Sequence, residues 1–317
     1  MTKVGNEAQR ALTDLRLAAA AVGRPVTLME VCGTHTMSAF RCGLHDLLPS
    51  NVTMLSGPGC PVCVTAQGEI DRFIEISLDP QVTLCTYGDM LRVPGRRGSL
   101  ELARSQGADV RVIYSTLDAV RFAAEHPQRE VVFAAVGFET TAPATAAALL
   151  SAARAELKNF SVLVSHKRVL PAMTTLLDGG DVSLDGFLCP GHVSIILGSE
   201  CYRPLVDTYG MPCVIGGFEE QLLVVAVTRI VEQVRDGLAE LDNQYPEAVT
   251  RTGNTVAQRL LNQVFQVSHM RWRGLGVIPS SGLSLRPNYR RFDAAERFSL
   301  GEPEDHEHKG CICGQVI

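Results

Sequence analysis

Val26-Thr27-Leu28-Met29-Glu30-Val31 passes directly into Cys32-Gly33-Thr34-His35-Thr36. The first stretch is short, apolar and partly β-branched, which reads as a strand; the second is small, polar and reactive, which reads as a turn. The same join recurs along the chain. Asn51–Leu55 runs into Gly57-Pro58-Gly59-Cys60-Pro61-Val62-Cys63, and Val82–Cys85 into Thr86-Tyr87-Gly88-Asp89. Val131–Val136 runs into Gly137-Phe138-Glu139-Thr140-Thr141, and Gly186–Leu188 into Cys189-Pro190-Gly191-His192. Between these runs lie amphipathic stretches such as Gln67–Leu78, Leu117–Glu125, Pro143–Leu157 and Glu219–Leu238. Alternation of this kind predicts an α/β fold, with parallel sheets carrying helices on both faces. The reactive residues then gather beyond the carboxyl ends of the strands, the edge where open α/β sheets bind ligands.

The pattern divides into a first α/β unit over 25–116, which carries Cys32, Cys60 and Cys63, and a second over 117–242. Residues 1–24 and 243–317 make a third, less regular region in this reading, since the later part is rich in Arg, Gly and Pro. Gly137-Phe138-Glu139 and Gly217-Phe218-Glu219 echo one another, a hint that two halves share a plan.

With 46% hydrophobic and 20% charged residues and a net charge of −5, the chain has the profile of a globular protein and carries no basic stripe for nucleic acid. No apolar stretch is long enough to span a bilayer, and the first residues read as an amphipathic helix, not a signal peptide. The expectation is a cytoplasmic protein whose ten cysteines are reduced thiols. Cys85 and Cys213 lie in apolar runs and read as small buried hydrophobes, while Cys42 and His45 share a helical pattern with Phe40 and Leu44 and read as packing.

Cys60-Pro61-Val62-Cys63 is a C-x-x-C pair, which suits either a redox dithiol or half of a metal site. No second C-x-x-C accompanies it, which argues against a structural zinc site, and Pro61 leans toward thiol–disulfide chemistry. Cys32 and His35 set a thiol and an imidazole three residues apart, fit for an activated thiolate or for sulfur and nitrogen ligands to a transition metal. Gly137, Glu139, Thr140 and Thr141 form a strand–turn–helix entry that can hold an anion or polar ligand or can simply cap the helix. His192, flanked by Gly191 at a strand end, is a further binding candidate. Asp305-His306-Glu307-His308 reads as a solvated linker. There is no Walker A, no convincing G-x-G-x-x-G and no G-x-S-x-G elbow, so ATP use, dinucleotide binding and serine hydrolysis find no support.

Taken together, Met29–Thr36, Gly57–Cys63, Gly137–Thr141, Pro190–Val193, Trp272–Gly276 and Tyr289–Ala294 resemble, in this order, the signatures of the HypD family over nearly the whole chain. The resemblance implies an accessory scaffold with a redox role more than a turnover enzyme. With the small partner HypC it would assemble the Fe(CN)2CO unit of nickel–iron hydrogenase, with HypE delivering cyanide. Carried over, Cys32 holds the iron together with a HypC thiolate, Cys60 and Cys63 are the redox dithiol, and His35 lies beside them. Low-spin ferrous iron bearing cyanide and carbon monoxide suits a soft thiolate. The resemblance also implies a [4Fe–4S] cluster on a cysteine-rich tail. Here only Cys313 and Cys311 match that pattern, so an incomplete cluster is expected. Two other readings stay open: a free-standing thiol–disulfide oxidoreductase built on Cys60 and Cys63, and a metal-binding protein using Cys32, His35, Cys60 and Cys63.

Overall fold

The structure, a computed structural model, describes residues 3–180 and 183–304. Strands β1 (Val26–Glu30) and β2 (Val52–Ser56) come first. The chain then lays down β3 (Val82–Thr86), β4 (Asp109–Val112), β5 (Glu130–Gly137) and β6 (Phe160–His166). It continues with β7 (Gly186–Cys189), β8 (Cys213–Ile215) and β9 (Leu241–Asn243), and closes on the antiparallel pair β10 (Phe265–Trp272) and β11 (Gly276–Leu285). Two parallel sheets result, one ordered β2-β1-β7-β8-β9 and the other β4-β3-β5-β6. The α/β expectation with parallel sheets and flanking helices therefore holds.

The contacts divide the chain into two compact units, each assembled from separated segments. The first comprises the described residues up to Cys60 together with Val169–Thr255; the second comprises Pro61–Arg168 and the described residues from Val256. This differs from units at 25–116 and 117–242. The strands of the first expected unit are shared out, β1 and β2 to one sheet and β3 and β4 to the other. A parallel strand acquires its neighbour through a crossover, so alternation of strands and helices carries no record of which sheet a strand joins.

The outlying segments are also more regular than expected. Helix α1 (Lys3–Val22) buries Ala11, Leu12, Leu15, Ala18 and Ala19 against Leu223, Val227, Ile230 and Val231 of the helix Glu220–Asp236, in the core that also takes Leu28, Val52 and Leu188 from the first sheet. In the second unit β10 and β11 form a hairpin whose Trp272 is buried, donates from Nε1 to Ser281 Oγ at 2.8 Å and stacks on Phe138. There Val132, Ala134 and Val136 of β5 pack with Ile70, Phe73 and Ile74 of the helix Gln67–Ser77. Every residue of β5 after Glu130 is buried, as befits a central parallel strand covered on both faces. Among the described residues no helix is long and apolar enough to cross a membrane.

Each sheet has one point where the strand order reverses. In the first it lies between β1 and β7, in the second between β3 and β5. The turns beyond the carboxyl ends of those strands form the crevice in which this architecture places ligands.

Candidate functional site

In the first unit the reversal point brings the turn after β1 and the turn after β7 into neighbouring positions. Cys32 lies two residues beyond β1 and starts helix α2 (Gly33–Cys42) as its N-cap, with extended backbone at φ −154° and ψ 115°. Its carbonyl accepts from Thr36 N at 3.1 Å. Its thiol is buried, and burial pushes its pKa up, as does the nearby charge of Glu30; the neighbouring backbone N–H groups of His35 and Thr34 and the Thr34 hydroxyl pull the other way. The resting group is thus the thiol. It loses its proton most readily to a cation that bonds the sulfur directly.

Glu30, itself buried, accepts from Cys32 N at 2.9 Å through Oε2 and from the Thr36 hydroxyl through Oε1, with the Ser56 hydroxyl as a further donor. Its carboxyl pKa is raised because desolvation outweighs these bonds.

The Gly57-Pro58-Gly59 turn lies flat against the end of β1. Gly57 N donates to Glu30 O at 2.7 Å, and Gly33 N donates to Gly59 O at 3.0 Å. A methyl at Gly59 would lie 2.2 Å from Cys32 N and 2.6 Å from Cys32 Cα, so only glycine fits this approach. The result is that Cys60 comes to Cys32. A methyl placed on Gly33 would stand 3.7 Å from Cys60 Cβ.

His35, in the first turn of α2, is fully buried. Its Nε2 lies 3.2 Å from Gly216 O and 3.1 Å from Gly217 O, both acceptors only, so Nε2 carries the proton. Nδ1 is then a bare acceptor, buried and without a hydrogen-bond partner. Burial lowers the imidazole pKa to about 4, the two carbonyls only partly opposing it, so the ring is neutral at physiological pH. The ring lies 5.0 Å from Phe218, which stacks at 4.1 Å on the exposed His192 and meets Tyr245 edge-on at 6.0 Å. His192 opens the short helix after β7, and partial burial lowers its pKa also. Phe218 is the residue that links the two histidines, and sequence reasoning did not single it out. The only signal was the Gly-Phe-Glu echo, whose other copy supplies the Phe138 that stacks on Trp272.

Cys63 belongs to the second unit and is exposed. Its loop is firmly held. Thr65 Oγ1 donates to Pro61 O at 2.7 Å, Arg273 N to Val64 O at 2.9 Å and Arg273 Nε to Thr65 O at 3.0 Å. The helix Gln67–Ser77 begins beyond this loop, so neither cysteine of the pair occupies its first turn. Glu69 of that turn pairs with Lys167, whose side chain is wholly buried, at 2.8 Å, and Ser165 Oγ accepts from the same ammonium at 3.1 Å.

At the reversal point of the second sheet, Gly137 takes φ +157°, and a methyl there would meet Thr141 Cβ at 2.5 Å. Thr141 is the N-cap of the helix Ala142–Arg154, yet its side chain makes no cap hydrogen bond; Thr140 is exposed and Glu139 buried. Gly137, Glu139, Thr140 and Thr141 thus share one turn, whereas His192 belongs to the other unit. His166 is satisfied within the core, 2.9 Å from Thr145 Oγ1 and 3.3 Å from Gly137 O, and burial lowers its pKa to about 4.

Cys311 and Cys313 lie outside the described residues. Among the described residues no group of three or more His, Cys, Asp or Glu side chains is placed to hold a metal ion. Cys85, Cys189 and Cys213 are buried within strands, so the described thiols do not fit a [4Fe–4S] cluster, which needs a full set of convergent thiolates.

Comparison with known proteins agrees with the motif reading. The model of the HypD family, described as "Hydrogenase formation hypA family", matches residues 6–317. The hydrogenase maturation factor HypD of Escherichia coli (strain K12) is 43% identical over 295 residues, covering 93% of this chain and 79% of that protein. The factor of the same name from Azotobacter vinelandii is 46% identical over 301 residues, covering 93% of this chain and 79% of that one. That of Cupriavidus necator is 44% identical over 321 residues, covering 99% and 84%.

Proposed function

Because the chain belongs to the HypD family, we propose that it acts in hydrogenase maturation, as the scaffold on which, with HypC, the Fe(CN)2CO unit of the nickel–iron site is assembled. The observation that carries this reading is Cys32: a thiol at the reversal point of a parallel sheet, at the N-cap of α2, with Cys60 drawn up beside it by a glycine turn. The iron unit is cargo. Cys32 gives up its proton to bind the iron as thiolate, and a HypC thiolate completes the grip. The N–H groups at the start of α2 lie near the sulfur and favour the charge that deprotonation leaves there.

Cys60 and Cys63 form the redox pair. On closing a disulfide they give up two electrons and two protons, which would reduce the oxidised cyanide-carrying group that HypE presents, so that cyanide leaves as the anion that iron binds and the carrier takes up a proton. His35, buried beneath the start of α2, has a neutral ring that adds no charge to the site. Gly137, Glu139, Thr140, Thr141 and His192 contribute polar groups at the two sheet edges for ligands of the assembly. The protein ends each cycle by handing the unit on, which makes it an accessory factor more than a turnover enzyme.

The test is complementation of a strain lacking its own copy of this gene. Cys32→Ala is expected to abolish hydrogenase activity while leaving the far-ultraviolet circular dichroism unchanged; maturation surviving that substitution refutes the role given to Cys32. The exposure of Cys63 also suits a free-standing thiol–disulfide oxidoreductase. That alternative requires turnover on a dithiol substrate with no HypC present.

A further inference from the structure

Cys32 occupies a position where helices ordinarily carry Ser, Thr, Asp or Asn. Its side chain makes no cap hydrogen bond, so the start of α2 lacks the oxygen acceptor that ordinarily secures it. A thiol is a poor cap, so something else must hold the backbone in the conformation that aims it. Glu30 is in place to do so. One carboxylate oxygen takes the Cys32 N–H at 2.9 Å, and the other takes the Thr36 hydroxyl one turn into α2. The clamp therefore spans the residue before the helix and its first turn, with Cys32 between. Gly59 also lies close against the Cys32 main chain, which leaves it little room to shift.

The cost of this arrangement points to a role beyond stability. Glu30 is 1% exposed, and burying a carboxylate is expensive even when it is fully hydrogen-bonded. Its hydrogen-bond partners, one N–H and two hydroxyls, are neutral, and nearby His45 contributes less to holding its charge than any of them. We propose that Glu30 is a positioning residue, which fixes the Cys32 thiol at the start of α2 in the orientation that receives the metal. This rests on the reading above that Cys32 is the iron ligand.

Glu30→Gln separates position from charge. The amide oxygen can accept from Cys32 N–H, and the amide nitrogen can donate to Thr36 Oγ1, which is free to turn its own proton toward Cys32 O at 3.3 Å. The clamp survives and the charge is lost. Glu30→Ala removes both, and Glu30→Asp keeps the charge but falls one methylene short of the clamp.

The full-length variants are compared in two assays: labelling of Cys32 by iodoacetamide, read by peptide mass spectrometry, and complementation of hydrogenase activity. Glu30→Ala and Glu30→Asp are expected to label Cys32 about tenfold faster and to lose about tenfold in maturation, the factor that one hydrogen bond to a charged group can carry. Glu30→Gln is expected to stay within about twofold of the unsubstituted chain in both, a difference near thermal energy. Should Glu30→Ala be insoluble, Glu30→Asp carries the test. The inference is overturned if Glu30→Asp behaves as the unsubstituted chain, or if Glu30→Gln is as impaired as Glu30→Asp. If the unsubstituted chain fails to support maturation, the scaffold reading falls, while the labelling comparison still judges Glu30.

Discussion

Replacing Gly59 by alanine would place a methyl 2.2 Å from Cys32 N, 2.5 Å from Val31 C and 2.6 Å from Cys32 Cα. All three atoms are main chain, so no side-chain rotation relieves the contact. Either the end of β1 or the glycine turn has to move, and the 3.0 Å bond from Gly33 N to Gly59 O is lost with it. Overpacking costs about 1–3 kcal/mol and the lost bond about 1 kcal/mol, so Gly59→Ala should destabilise the first unit by about 2–4 kcal/mol. Gly33→Ala is the control. There the methyl meets its nearest atoms at 3.6 Å, 3.7 Å and 3.9 Å, ordinary contact distances. Gly33 is the first residue of α2, where alanine is tolerated at least as well as glycine. Urea unfolding followed by far-ultraviolet circular dichroism checks both. For a slope near 3 kcal/mol/M, Gly59→Ala should lower the midpoint by about 1 M, and Gly33→Ala should leave it unchanged or raise it slightly. A Gly59→Ala midpoint equal to that of the unsubstituted chain, or a Gly33→Ala loss of the same size, would refute the packing argument that joins Cys60 to Cys32.

Lys167→Met should destabilise the second unit by about 3–5 kcal/mol because it strands the Glu69 charge, and adding Glu69→Leu should restore most of the loss. The single tryptophan, Trp272, is buried in that unit and reports its unfolding by fluorescence. His35 and His166 both have folded pKa values lowered to about 4 from 6.5, so between those values the unfolded chain binds protons that the folded chain refuses. Stability is therefore complete above pH 6.5 and falls as the pH drops toward 4, by about 1.4 kcal/mol per unit for each histidine. His166→Gln should remove one such share from the slope; a slope that does not change would show that His166 is protonated in the fold. Native labelling at pH 7.5 should modify exposed Cys63 early, whereas Cys85, buried and with its pKa pushed up to about 12, should react only after unfolding.

The α/β class was legible because strands such as Val131–Val136 are continuous apolar runs between amphipathic stretches, a pattern that burial on both faces imposes. So was the placement of Cys32, Cys60 and His192 just beyond strand ends. What sequence could not supply was partnership. β7 joins β1 across more than a hundred residues, and nothing in Gly186–Cys189 records that neighbour. The hairpin Phe265–Leu285 was hidden by its Arg, Ser and Gly content and by a register shift between Ser268 and Met270 that breaks its alternation. Phe218 was invisible as the ring joining His35 to His192, since a lone aromatic in a turn has no pattern to betray it. Glu30 stood in plain view inside Met29–Thr36 but read as the polar member of a strand, because the turn of its carboxylate back onto Cys32 exists only in the fold.

The most direct test of the account is the infrared spectrum of this chain co-purified with HypC from cells competent for maturation. The scaffold reading predicts bands from iron-bound carbon monoxide and cyanide that vanish in Cys32→Ala. Their absence from the unsubstituted complex, or their persistence in Cys32→Ala, would contradict it.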